Sequence, residues 1–162
     1  MIEKTLVLLK PDAVKRCLIG ECIKRFEQKG IKITGMKLVW ADEKLASKHY
    51  GDLDVRISKE VKDRMVKFLI EGPMVALVLE GVEAVEVIRK IVGSTEPKTA
   101  QPGTIRGDYA HVSIAHADKW NKGVMNLIHA SGSVEEAKQE IDLWFNEEEL
   151  HSYDLVNKAY AL

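Results

Sequence analysis

A single histidine, His129, closes a short apolar run in the segment Asn126-Leu127-Ile128-His129-Ala130-Ser131-Gly132-Ser133. Small polar residues follow. Ser133 with Glu136 three residues on has the form of a capping box opening a helix over 134–145. That spacing sets His129 beside a helix N-terminus, where unpaired N–H groups and the helix dipole favour an anion. A histidine held against an anion site suits phosphoryl transfer through a protein nucleophile. Alone, a histidine of this kind is as a rule a packed core or surface residue, so the weight falls on what the rest of the chain gathers around it.

Two further clusters carry suitable chemistry. In Lys10-Pro11-Asp12-Ala13-Val14 a lysine ends a buried strand, an awkward place for an ammonium unless a cleft receives it. Residues 93–107 form a long segment with three glycines and two prolines, and loops of that length are often functional. Within it, Arg106 stands beside Gly107, where backbone can approach a ligand. Arg89, on the preceding helix, offers a second guanidinium, and guanidinium forks match phosphate oxygens. Either arginine alone would read as a surface ion pair. There is no G-x-x-x-x-G-K-[ST] loop, G-x-G-x-x-G fingerprint, H-E-x-x-H or G-x-S-x-G elbow, so a phosphate ligand must be held mainly by Lys and Arg side chains. His111 and His116 lack an evident third ligand for a structural zinc.

The elements that must position these groups are legible from periodicity. Strands are expected at 5–9, 31–40, 73–79 and 112–115, and helices at 12–29, 43–50, 58–70, 82–92 and 134–145. The order is strand–helix–strand, helices, strand–helix–strand, helix. Two such split units give a ferredoxin-like α+β core (βαββαβ), a four-stranded antiparallel sheet with helices on one face.

The 162 residues suit one domain with a single sizeable core. The formal net charge of -1 does not indicate nucleic acid. No apolar run approaches membrane-spanning length, and the N-terminus lacks signal-peptide regions. Cys17 and Cys22, five apart in an expected helix, face apart and read as reduced thiols. Together these features point to the cytoplasm.

Lys10-Pro11-Asp12-Ala13, His49-Tyr50, Gly103-Thr104-Ile105-Arg106-Gly107-Asp108 and Asn126-Leu127-Ile128-His129-Ala130-Ser131 together resemble nucleoside diphosphate kinase, in that family's order and over nearly the whole chain. The resemblance implies transfer of a γ-phosphoryl group from a nucleoside triphosphate to a nucleoside diphosphate, in ping-pong fashion, through a phosphohistidine at His129. It implies nucleotide binding by Lys10, Arg89, Thr95, Arg106 and Asn126. It implies support of the histidine by Tyr50, Ser131 and Glu140, the glutamate accepting a ring N–H and fixing the tautomer. It also implies Mg2+ held mainly through nucleotide phosphates and water, with no dedicated protein metal ligands, and a homo-oligomer, hexamer or tetramer, built from dimers.

Three departures from the family pattern stand out. The position that usually stacks an aromatic ring on the base falls near Val61, and Phe68 lies on the expected core face. Gly132 replaces a common aspartate, which predicts a missing carboxylate and a looser histidine loop. An insertion between Arg106 and Asn126 carries Trp120, either an anchor on the body or a subunit contact. The rival readings are a catalytically silent nucleotide-sensing or protein-binding relative and, further off, a ferredoxin-like RNA-binding domain, which would need exposed strand aromatics and a basic sheet face.

Overall fold

The structure, a computed structural model, describes residues 1–51 and 53–156, with only the backbone of residues 53 and 54. The end of the polar tail, 157–162, lies outside the described residues. Four strands, β1 (Ile2–Leu9), β2 (Lys32–Val39), β3 (Met74–Val82) and β4 (Ile128–Ala130), form one antiparallel sheet in the order β2-β3-β1-β4. The ferredoxin-like sheet is therefore present.

Strand side chains alternate between faces, and both faces of this sheet are apolar. Val7, Leu9, Val75, Leu77 and Leu79 pack on one side. Helix α2 (Ile19–Glu27) covers them with Cys22 and Phe26, and α6 (Ala84–Val92) with Ile88 and Val92. Leu6, Leu8, Met74, Ala76 and Val78 pack on the other. There α3 (Glu43–His49), α5 (Lys59–Leu69) and α9 (Val134–Trp144) close over them. The expectation of helices on one face is corrected by the runs 6–9 of β1 and 74–79 of β3, which are apolar at every position and need cover on both sides.

Two expected elements differ. The helix over 12–29 is two helices, α1 (Pro11–Lys15) and α2, because Cys17 takes a left-handed conformation (φ 57°) between them. Cys17 is consequently exposed while Cys22 is buried, and both are free thiols. No strand forms at 112–115. Ser113 instead caps helix α8 (Ile114–Lys119), its hydroxyl accepting from the His116 N–H at 3.1 Å. The fourth strand is β4, three residues long, with His129 opposite Leu8.

The remaining connections build the site's surroundings. They are the four-residue helix α4 (Leu53–Arg56), a 3-10 turn at Pro97–Thr99 and α7 (Ile105–Tyr109). Thr104 caps α7 by accepting from Gly107 N at 3.1 Å. A Cβ on Gly107 would stand 2.0 Å from the Gln101 carbonyl oxygen, so this turn closes only on glycine.

Candidate active site

His129 is on β4 because Ile128 and Ala130 face the α2/α6 side of the sheet, which turns the residue between them toward the α9 side. The approach to β4 is under tension. Leu127 holds φ 68°, costly for a residue with a branched side chain. The conformation is held from two sides, since Leu127 N–H donates to Asp12 Oδ2 at 2.9 Å and Leu127 O accepts from Lys10 N at 2.8 Å. The Lys-Pro-Asp turn thus fixes the strand that carries the histidine.

Arg106 fastens the same segment from the other side. It is buried, and its guanidinium donates to the carbonyls of Asn126 (3.1 Å), Gly93 (2.9 Å) and Ile128 (2.5 Å). A guanidinium has five N–H donors, so only part of this fork remains for a phosphate. Lys10, also buried, donates to Asn126 Oδ1 at 2.8 Å, and Asn126 Nδ2 donates to the Thr95 carbonyl at 2.8 Å. Burial, then the neighbouring Arg106, lowers the Lys10 pKa to about 8, against the opposing pull of Asp12.

Behind the histidine, Ser131 continues the β1 ladder through its backbone and gives its hydroxyl to Glu140 Oε2 at 2.6 Å. The other carboxylate oxygen, Oε1, lies 2.8 Å from His129 Nε2, off the line of an ideal hydrogen bond, and 3.5 Å from His49 Nδ1. Burial, then the cationic Lys10, pushes the His129 pKa down to about 3, so the ring is neutral at pH 7. Nε2 faces the carboxylate, which leaves Nδ1 as the ring nitrogen on the other side.

His129, Lys10, Arg89, Thr95, Arg106, Asn126, Tyr50 and Glu140 all border one cavity of about 520 Å³. The structure therefore brings all of these expected residues together, with Ser131 directly behind. Arg89 and Thr95 are exposed at its rim. Tyr50 is buried, with its hydroxyl unpartnered among the described residues. Its neighbour His49 lies between Tyr50 and the histidine, at 4.8 Å and 4.5 Å between ring centres.

The far wall of the cavity answers the three departures. Ile57, Val61, Met65 and Ile114 line it, whereas Phe68 is buried under Lys10, 5.9 Å from its ammonium. The insertion supplies Ile114, Asp118 and Gly123 to this wall and is pinned by Arg64 Nη2 on Asp118 at 2.9 Å. Trp120 is 60% exposed and is not an anchor on the body of the chain.

At Gly132 the expected loss of a carboxylate is overturned. Glu136 Oε2 accepts from Gly132 N at 2.6 Å and would lie 2.6 Å from any Cβ placed there. The carboxylate missing from position 132 is replaced by one reaching back from the helix. Half of the expected capping box forms, with Ser133 Oγ accepting from Glu136 N at 3.1 Å, while Glu136 reaches one residue further than Ser133. Sequence reasoning singled out neither His49 nor Asp12 individually, although both sit inside quoted motifs, and it gave Glu136 only a capping role.

A neutral histidine beside buried and rim cations, in a cavity of about 520 Å³ on a ferredoxin-like sheet, is an arrangement suited to phosphoryl transfer. The family model for nucleoside diphosphate kinase matches residues 3–150. The chain is 49% identical over 152 residues to nucleoside diphosphate kinase of Pyrococcus furiosus, covering 94% of this chain and 88% of that one. It is 43% identical over 155 residues to that of Borreliella burgdorferi, covering 94% and 93%. A solved transition state mimic of the Borrelia burgdorferi enzyme with bound vanadate and ADP has a TM-score of 0.96 at 41% identity, over 99% of this chain and 96% of that one. The Halobacterium salinarum enzyme in complex with CDP has a TM-score of 0.85 at 38% identity, over 99% and 98%. This chain belongs to the nucleoside diphosphate kinase family, and its activity is phosphoryl transfer between nucleoside tri- and diphosphates.

Proposed function

We propose that His129 is the phosphoryl carrier. The observation that carries this reading is the neutral ring, with Nε2 against Glu140 and Nδ1 free, in the cavity that also holds Lys10, Arg89 and Arg106. The Nδ1 lone pair attacks the γ-phosphorus, the bond to the β,γ-bridging oxygen breaks, and the diphosphate leaves. A second diphosphate enters the same cavity and takes the phosphoryl group back off the ring. Positive charge near the transferring oxygens and in-line positioning supply most of the acceleration in such reactions. Lys10 and Asn126 meet the sugar and transferred group, and Arg89, Thr95 and the free part of Arg106 meet the phosphates. Glu140, oriented by Ser131, keeps the tautomer, and Tyr50 supports the histidine's surroundings.

The residues present fit magnesium carried by the nucleotide. Glu136 borders the cavity as a carboxylate able to hold its water shell, and Mg2+ favours water and phosphate oxygen over a protein cage. When bound, magnesium neutralises phosphate charge. The base lies among Ile57, Val61, Met65 and Ile114, an aliphatic clamp in place of an aromatic one.

A homo-oligomer is supported by β2, an edge strand of the sheet. Met36 and Leu38 on it and Trp40 just past its end are 58%, 66% and 65% exposed, a row of large apolar groups along the sheet edge. The cytoplasm as the compartment is supported by two free cysteines. Among the described residues no helix is long and apolar enough to cross a membrane.

The test is labelling with γ-labelled ATP and magnesium followed by a chase with unlabelled GDP. Acid-labile label on the protein, chased into GTP and absent from His129→Ala, is expected. Label that persists in His129→Ala, or never forms in folded, nucleotide-binding protein, overturns the assignment.

A further inference from the structure

His49 is the one buried ionisable group of the cavity to which the phosphoryl-transfer reading gives no work. Its side chain is 1% exposed, and its Nε2 has no partner among the described residues. Nδ1 accepts a long hydrogen bond, 3.3 Å, from Trp144 Nε1, which places the ring proton on Nε2. Nδ1 also stands 3.5 Å from Glu140 Oε1 with no proton between the two atoms, and its one lone pair is held only by the long Trp144 contact. His129 Nε2 approaches the same oxygen at 2.8 Å. One donor atom from each of His49, His129 and Glu140 falls within 4.8 Å of the others.

We propose that these three residues form a zinc-class transition-metal site on the floor of the nucleotide cavity, and that an ion bound there arrests phosphoryl transfer. The donor set is two imidazoles and one carboxylate, which suits Zn2+ and its neighbours and not Mg2+, a cation that seeks oxygen in octahedral array. Three protein ligands with a fourth position open to the cavity is the arrangement of accessible zinc sites. Two of the three donor separations are close to what such an ion needs, and the third, between the two histidines and within 4.8 Å, would close on binding. With bonds near 2.1 Å, tetrahedral donors stand roughly 3.4 Å apart. The His49–Glu140 separation of 3.5 Å already meets this, and the His129–Glu140 separation of 2.8 Å must open by about half an ångström. A cation on Nδ1 would take the lone pair from the Trp144 N–H, a long contact at 3.3 Å, and Ser131 on Oε2 already steers the carboxylate.

The arrest follows from proton bookkeeping on one ring. A neutral imidazole carries one proton. In the active tautomer it sits on Nε2, against Glu140, and Nδ1 holds the reacting lone pair. Metal on Nε2 needs that lone pair, so the proton moves to Nδ1, and the nitrogen that should attack phosphorus becomes an N–H. This consequence rests on the role given to His129 above, whereas ion binding does not.

The experiment uses untagged, chelator-stripped protein in excess magnesium. Zn2+ binding is measured by equilibrium dialysis without nucleotide, and phosphoenzyme formation is measured in parallel as zinc occupancy rises. About one tightly held Zn2+ per chain is expected, weakened tenfold or more in each of His49→Ala, His49→Gln and Glu140→Gln, and retained in the neighbouring Tyr50→Phe. Circular dichroism establishes that each variant is folded. Labelling should fall in proportion to occupancy and return on chelation. No bound zinc, or equal binding in folded His49→Ala and His49→Gln, overturns the site. Undiminished labelling at full occupancy overturns the arrest. Zinc-free protein that never labels counts against His129 as carrier and leaves the binding result standing.

Discussion

At the scale of the residue, titration behaviour follows from burial. His129 has its pKa lowered to about 3, so it is already neutral throughout the range in which an ordinary histidine titrates. Lys10 has its pKa lowered to about 8, so its ammonium is lost as pH rises through that value, and with it the positive charge proposed to meet the transferred group. With saturating magnesium, kcat/KM should be flat from pH 7.5 down to 6 and fall above about 8. A histidine at its ordinary value would lose roughly three quarters of its neutral form by pH 6. A profile falling steeply between 7 and 6 contradicts the buried neutral ring. The aliphatic base clamp gives a second expectation: Val61→Phe should tighten nucleotide binding severalfold by adding a face for stacking, read by nucleotide titration. The expected site residues were legible because phosphate chemistry restricts which side chains serve. Glu136 was not, since nothing in the string Ser133-Val134-Glu135-Glu136 says that its carboxylate would fold back over Gly132 instead of capping the helix alone.

At the scale of the element, β4 depends on the turn after β1. Asp12→Ala leaves the buried Leu127 N–H without an acceptor and removes the brace on its left-handed backbone. A loss of roughly 1–3 kcal/mol is expected, read as a lower denaturation midpoint. Asp12→Asn keeps an acceptor oxygen and should lose less. Equal losses would mean that charge, not the hydrogen bond, matters there. The same element explains where periodicity misled. Three residues are too few to show alternation, while Val112-Ser113-Ile114-Ala115 alternates over four and yet begins a helix, because Ser113 satisfies an N-terminal N–H there. Likewise the apolar stripe over 12–29 was sound, and the break at Cys17 carries no glycine or proline to announce it.

At the scale of the whole molecule, order of elements and sheet class were readable, because unbroken apolar runs such as 6–9 and 74–79 leave little choice. Which faces are covered depended on how α3, α5 and α9 return, information held in loops rather than in periodicity. The uncovered edge remains β2. The tail reaches only part of it, through His151 N on Thr34 O at 2.7 Å and Tyr153 Oη on Ile33 O at 2.8 Å. Leu38→Glu paired with Trp40→Glu should therefore shift the protein toward monomer in sedimentation equilibrium while leaving its circular dichroism intact. An unchanged mass would place the subunit contact elsewhere.

The position of β1 also has a consequence in time. It precedes the other three strands in the chain, yet it lies inside the sheet and borders β3 and β4, so Leu8 waits for His129 and Lys10 for Asn126. At roughly 5–20 residues per second, the ribosome delivers Glu140 some 7 to 25 s after Lys10. Until then Lys10 is a charge at the end of an apolar strand with no cleft to receive it. A nascent chain that stops before α9 holds all four strands and His129 but not the Glu140 carboxylate behind the ring, so the site is completed last of all.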